Sequence, residues 1–254
     1  MKFILLGTGT SQGIPVIGCD CAVCTSKDKK DNRLRVSCYL EDEISKKSIL
    51  IDIGPDFRQQ MLRHKISDLD AVLLTHEHND HTAGLDDIRS INFLHNKNMP
   101  LYGLPRVLND LKARFRYVFN SSKYPGLPRV ELYPTETDFY IGELAIHVIP
   151  VTHGRLPIIG FRIRNFAYIT DASYISEESL AMLTGLDVLV LNTLRKEKHF
   201  SHFNLDEALE QIQIINPKQA YLTHISHAFD THKNIEDMLP RGISVGYDGL
   251  SVSL

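Results

Sequence analysis

The sequence predicts an α/β protein in which two sheets pack together as one domain. Three observations carry that expectation. Apolar runs of strand length alternate with segments of helical spacing along the chain. Four of those runs, 71–74, 144–152, 166–170 and 219–223, each lead at their C-terminal end to a residue that binds metals. The strand-plus-ligand unit recurs in both halves with no linker, low-complexity tract or short-period repeat, so residues 1–254 read as a single domain.

Composition narrows the function classes. A net charge of −3 and a pI near 6.4 give no global field to recruit nucleic acid or an anionic membrane, so neither is an expected partner. Phe3, Ile4, Leu5 and Leu6 are too few apolar residues before Gly7 for a signal peptide, and no later run approaches bilayer length. A cytoplasmic location is the expectation. The four cysteines then read as metal ligands or free thiols rather than disulfides.

Residues 3–6 form the first predicted strand, and Gly7, Gly9 and Gly13 a tight turn. Their G-x-G-x-x-x-G spacing misses the dinucleotide fingerprint by one residue, and Pro15 blocks the long helix that fingerprint requires. A phosphate contact is the secondary reading of this loop. Cys19, Cys21 and Cys24 place three thiols within six residues, a zinc set short of one donor. Spacing leaves the fourth donor open among His199, His227 and His232, and a redox role is the alternative. Cys38 lies in a strand-like run and reads as a small buried hydrophobe. Residues 48–54 form another strand and turn, followed by a short helix over 55–62. A buried Asp52 there needs hydrogen-bond partners and is suited to orienting a metal-binding histidine.

The strand 71–74 leads into Thr75-His76-Glu77-His78-Asn79-Asp80-His81, and helical spacing resumes over 86–94. A strand-to-helix turn is where open α/β sheets hold ligands. Three imidazoles and a carboxylate in six residues exceed what one tetrahedral zinc with an open position uses, and they suit a pair of metals. A solvated, His-rich turn is the bland alternative. Residues 104–119 read as one amphipathic helix with a basic, solvated face, and 121–128 as a loop. His153, Asp171 and His224 stand at the ends of the next three ligand-bearing strands, which are expected to bring them together along one sheet edge. His147, in mid-strand, reads as a strand-face residue. A capped helix follows over 176–183, and Asn204 with Glu207 forms a capping box opening the helix 205–215 before Pro217.

His76-x-His78-x-Asp80-His81, followed by His153, Asp171 and His224, resembles the metallo-β-lactamase superfamily over essentially the whole chain. The resemblance implies an αββα sandwich of two mixed sheets flanked by helices, with two divalent metal ions at one edge. It assigns His76, His78 and His153 to one ion and Asp80, His81 and His224 to the other, with Asp171 bridging. The glycine-rich loop and the three cysteines narrow the likeness to the phosphoribosyl cyclic phosphodiesterase family of the carbon–phosphorus lyase pathway. There the fourth ligand of a structural zinc corresponds to His227. The segment 195–202 resembles the one that places a histidine over substrate, making His202 the candidate general acid. Relatives often carry proline where this chain has Phe200, and an acid near Asn192.

The implied function is a metal-dependent phosphodiesterase in which a hydroxide shared by two metals attacks a small cyclic or nucleotide-like phosphodiester. Asp80 would orient that hydroxide. Zinc and manganese suit the active site, as does iron, while soft thiolates select zinc at the cysteines. Arg89 and Arg195 are candidate phosphate contacts, with structural ion pairs as the equal alternative. Other readings are hydrolysis of a thioester, lactone or β-lactam, a tRNA 3′-processing nuclease, and a non-catalytic metal-sensing module. Relatives suggest a homodimer, which no periodic surface stripe in the sequence marks.

Overall fold

The computed structural model describes residues 1–120 and 125–254, so part of the loop expected over 121–128 lies outside the described residues. The first sheet contains β1 (Lys2–Gly7), β2 (Ser37–Asp42), β3 (Lys47–Ile51), β4 (Ala71–Leu73), β5 (Met99–Gly103) and β6 (Val130–Pro134) in that order. The second is built from β7 (Phe139–Ile141), β8 (Leu144–His153), β9 (Leu156–Ile163), β10 (Phe166–Ile169), β11 (Tyr174–Ile175), β12 (Val188–Asn192), β13 (Gln219–Thr223) and β14 (Ile243–Val245). Its order is β11-β8-β9-β10-β12-β13-β14, with β7 paired to β8, while β15 (Ser251–Ser253) returns to pair with β1 in the first sheet. Both sheets are mixed and built alike: antiparallel pairings come first, then three parallel ones.

Alternation of the strand side chains makes the layers. Phe3, Leu5, Leu40, Ile51 and Leu73 meet Ile146, Phe161, Tyr168 and Val190 between the sheets. Leu50, Val72 and Leu74 turn the other way, onto Phe57 and Met61 of the helix Phe57–His64 and Val107, Leu108 and Leu111 of the helix Pro105–Arg114. On the far side Ala167, Ile169, Leu189 and Leu191 meet Ala208, Ile212 and Ile215 of the helix Leu205–Ile215. The fold is therefore an αββα sandwich. Cys38 is fully buried in the inter-sheet core.

Two expectations need correcting. The helix read over 104–119 breaks at Phe115, where φ is −102° and ψ 44°, and a short helix Arg116–Phe119 follows. Residues 86–94 open in a 3₁₀ stretch, Ala83–Ile88, before the α-helix Arg89–His95. The capped helix Leu205–Ile215 has the expected reciprocal box between Asn204 and Glu207.

At the end of the sandwich away from His153, one ion pair ties the sheets together. Arg164, in the turn after β9, donates through Nε and Nη2 to Asp42 at the end of β2, at 2.8 and 3.0 Å. The carboxylate is 1% exposed and also accepts the Ser45 N–H and hydroxyl. Arg164→Ala strands that buried charge and should cost about 2–3 kcal/mol, or roughly 5–10 °C in Tm. The Arg164 hydrogen bonds, helped by those from Ser45, hold the Asp42 carboxyl well below the usual range against the effect of burial. The contribution is therefore complete above about pH 4 and fades as acidification proceeds below it. Urea melts should show a wild-type advantage at pH 7 that shrinks below pH 4; an equal midpoint at pH 7 would refute the clamp.

Candidate dinuclear metal site

The turn after β4 is held from beneath by Asp52, a fully buried residue just past β3. Its Oδ1 accepts the Thr75 N–H at 2.9 Å, and its Oδ2 accepts the His81 Nδ1–H at 2.7 Å. The Thr75 hydroxyl donates to the same carboxylate and accepts from His76 Nδ1 at 3.0 Å. These bonds fix the tautomers of His76 and His81 so that each turns Nε2 toward the site, where His76 Nε2 lies 2.9 Å from His78 Nδ1. Gly54 is required where the Asp52 turn meets the motif turn, because a Cβ there would lie 2.0 Å from the Asp80 carbonyl oxygen.

The second sheet supplies the remaining groups. His153 ends β8 and donates Nδ1–H to the Ser201 carbonyl at 2.7 Å. Asp171 follows β10 and His224 follows β13. Asp52, Asp171 and His224 all have positive φ, at 62°, 57° and 56°. Left-handed backbone at non-glycine strand ends is strain of the kind that functional sites hold. The ligands thus do not share one sheet edge, as the sequence suggested. His76, His78, Asp80 and His81 follow a strand of the first sheet while His153, Asp171 and His224 come from the second, so the site straddles the ends of both.

Two ligand sets result. His76, His78, His153 and Asp171 offer one set of donor atoms within 4.8 Å of one another, and Asp80, His81, Asp171 and His224 the other. Asp171, 2% exposed, divides its oxygens between them. Oδ1 lies 3.4 Å from His81 Nε2 and 3.2 Å from His224 Nε2, whereas Oδ2 lies 3.8 Å from His76 Nε2. The Nε2 atoms of His81 and His224 are buried with no hydrogen-bond partner. A buried nitrogen facing carboxylates and left unpaired is what a metal ligand looks like without its cation. Burial holds His76 well below its usual pKa, which keeps it in the neutral form that ligates. Burial works to raise Asp80, but His81 and His224 outweigh it and hold the carboxyl below its usual range. The residues fit a pair of divalent metals.

The three cysteines also converge. Cys19 Sγ and Cys21 Sγ lie 3.3 and 3.5 Å from His227 Nδ1, and with Cys24 they form a four-donor set. The Cys24 N–H and then His227 lower the Cys21 thiol to about 6. The set pins the glycine-rich loop against the segment after β13. Ile225 donates to the Thr8 carbonyl at 2.9 Å, and Thr10 donates to the Ile225 carbonyl at 3.2 Å. Gly9 and Gly13 N–H are likewise spent on Leu34 and Thr10 carbonyls, which satisfies the tight-turn reading and leaves those two donors no part in phosphate binding.

His202, 9% exposed, reaches the same carboxylate as the first ligand set: its Nε2 is 3.3 Å from Asp171 Oδ2 and its Nδ1 is 2.9 Å from Ser201 Oγ. Arg195 lies back along its own loop, with Nη2 3.4 Å from the Lys198 carbonyl. Its Nε faces Glu197 Oε2 at 3.9 Å, the structural ion pair that was the alternative to a phosphate contact. Arg89 pairs instead with Asp86 at 3.1 Å on an exposed helical turn. His147 pairs with Asp138 on the strand face. Two residues the sequence assigned to a solvated basic face do other work. Arg106 bonds Glu77 and the Pro157 carbonyl, and Arg114 bonds the Glu77 carbonyl and Thr82 Oγ1 at 3.0 and 2.8 Å. Both clamp the motif turn. The available signal was slight: a carboxylate, Glu77, inside the motif and two arginines on one later helix.

Fold and ligand sets together are those of a metal-dependent hydrolase whose His/Asp cluster fits a dinuclear site. The Beta-lactamase superfamily domain matches residues 47–225, and the chain belongs to that superfamily. Within it the chain resembles the PhnP family: the crystal structure of a new diphosphatase from that family superposes with a TM-score of 0.93 at 38% identity, covering 100% of this chain and 97% of that one. The structure of Zn(2+)-bound PqqB from Methylobacterium extorquens shares the fold, with a TM-score of 0.81 at 19% identity over 100% of both chains. An octanoyltransferase of Porphyromonas gingivalis is 41% identical over 98% of this chain. This chain spans only about half of that relative, 51% of its length. Among the described residues no helix is long and apolar enough to cross a membrane.

Proposed function

We propose that this hydrolase is a phosphodiesterase for a small phosphodiester, with His76, His78 and His153 holding one divalent ion, Asp80, His81 and His224 the other, and Asp171 shared. The observation that carries the reading is Asp171, which presents one oxygen to each ligand set while His202 Nε2 faces it at 3.3 Å. When bound, the ion pair supplies a water acidified toward neutral pH and offsets charge on phosphate oxygens. Asp80, with Oδ2 3.3 Å from His81 Nε2, would help hold the second ion and offer a carboxylate acceptor to orient a nucleophilic water. His202 donates to the departing oxygen. Burial brings its pKa to about 4, and an anionic phosphate against Nε2 favours the protonated form again. Arg195 adds positive charge at the loop that covers substrate. Cys19, Cys21, Cys24 and His227 hold a separate zinc, since thiolates select it.

The relative described as a diphosphatase supports phosphorus over carbon and makes a diphosphate bond the second reading. The octanoyltransferase name belongs to a protein with half its length outside the aligned region, so it transfers no activity. A thioester, lactone or β-lactam is the carbonyl alternative, and a net charge of −3 argues against a tRNA substrate. The test is a comparison of bis(p-nitrophenyl) phosphate, 2′,3′-cyclic nucleotides, nucleoside diphosphates and a thioester, with zinc or manganese added. Preference for the phosphodiesters supports the proposal, and preference for the thioester overturns it.

His202→Ala should lower kcat about 10²- to 10³-fold on a phosphodiester with a poor leaving group, with metal content intact. The loss should be much smaller on p-nitrophenyl esters, whose leaving group needs little protonation. Full activity with the poor leaving group would dispose of His202 as the acid.

A further inference from the structure

Phe200 is 85% exposed, although it sits between residues committed to the site. Ser201, 4% exposed, and His202, 9% exposed, follow it directly. The ring lies over Gly154, where a Cβ would come within 3.5 Å of ring atoms Cδ2 and Cε2 and 3.2 Å of Ser201 Cβ. Gly154 has φ +62°, a backbone conformation that favours glycine, and directly follows His153. Phe200 thus stands next to a metal ligand through space and two residues from His202 along the chain.

Its other neighbour is the His199 ring, 4.9 Å away at a tilt of 36°. His199 meets His202 at 5.1 Å edge-on, and His202 stacks on the ligand His224 at 4.8 Å and 16°. A row of rings therefore leads from the second ligand set to solvent and ends in Phe200. On the preceding loop Arg195, Lys196 and Lys198 pair with Glu197, Asp230 and Glu207, at 3.9, 3.2 and 3.8 Å, so ion pairs hold the segment that carries the ring. A phenyl ring held in water beside a charged centre, with its neighbours locked, is arranged as a surface for something flat.

We infer that Phe200 is a stacking platform for a planar aromatic group carried by the phosphoester substrate, a nucleobase or an aryl ester. This deepens the phosphodiesterase reading and rests on it. Phe200 sets specificity through binding and takes no part in proton transfer.

The test compares wild type, Phe200→Ala and Phe200→Tyr on adenosine 2′,3′-cyclic phosphate, on p-nitrophenyl esters and on a ribosyl cyclic phosphate lacking the base. Removing the ring should reduce kcat/KM for the base-bearing substrate about 5- to 150-fold more than for the baseless one, chiefly through KM, and Phe200→Tyr should restore it. A matching selective loss on the aryl esters alone assigns the platform to aryl groups rather than bases. Calorimetric titration gives a second readout: wild type should bind AMP more tightly than ribose 5-phosphate, and Phe200→Ala should erase that preference. Equal losses on base-bearing, aryl and baseless substrates overturn the inference, as does an AMP preference that survives in Phe200→Ala. If wild type cleaves no phosphoester while a Phe200-dependent AMP preference persists, the reaction assignment fails and the platform stands. If it cleaves all three with no effect of Phe200, the platform fails and the reaction assignment stands.

Discussion

Asp171→Ala is expected to remove both catalytic metals and reduce phosphodiester turnover by at least about 10⁴-fold. The magnitude follows from geometry. Asp171 is the one residue common to both ligand sets, and its loss leaves each with imidazoles and at most one carboxylate. His76, His81, His202 and His224 all lie within 4 Å of its carboxylate, so the substitution also removes the negative charge around which four imidazoles are grouped. Asp171→Asn is the sharper variant. It keeps the shape but leaves an amide, which cannot bridge two cations as an anion. Metal analysis alongside kinetics separates the outcomes. Loss of both metals with the fold retained by circular dichroism is the expected result, and an active Asp171→Asn enzyme with two metals bound would show that the bridge is dispensable.

How much of this was legible in the sequence depended on whether the signal was local. The seven candidate ligands were legible because each follows an apolar strand, and β4, β8, β10 and β13 begin or end within a residue or two of where periodicity put them. Some strands without a ligand were harder to see. β9 contains Pro157 and Gly160, β5 contains Pro100 and Gly103, and β12 ends in Asn192 rather than a ligand. The Asn192 side chain instead ties down the backbone of Ala172, accepting its N–H at 2.7 Å and donating to its carbonyl at 2.9 Å, immediately after the bridging aspartate. That role depends on two strands being neighbours, which a linear reading does not contain. The same holds for the seam between sheets. Period-two patterning states which residues are buried but not which sheet a strand joins, so a single edge was the simpler inference and the two-sheet site the outcome. Asp52 was readable as an orienting group only because a carboxylate inside Ile51-Asp52-Ile53 demands partners; that the partner is His81, 29 residues on, required the fold.

The thiolate set lies outside the catalytic centre, yet substitution there should reach into it. Cys21→Ser is expected to remove one zinc per chain, lower Tm by about 5–10 °C and weaken metal binding at the Asp80–His81–His224 set about tenfold or more. The route is short and covalent. His227 is three residues after His224, and the two hydrogen bonds that join Thr8 and Thr10 to Ile225 lie between them. His224 has positive φ, a conformation uncommon for residues other than glycine, so contacts from its neighbours help to hold it. A cation joining Cys19, Cys21, Cys24 and His227 would hold the glycine-rich loop against residue 225 and leave the His224 backbone one arrangement. Without that cation, four donors face one another unpaired, and the loop loses its anchor to the strand end. His81 and Asp80 are fixed independently, through Asp52 and the motif turn, so the weakening should be confined to the set that contains His224. Chelator competition on the zinc-depleted variant measures this directly. Unequal loss, with the His76–His78–His153 set retaining its metal longer, is the expected pattern. Simultaneous loss from both sets at one chelator concentration would show that the thiolate site supports the whole fold rather than His224.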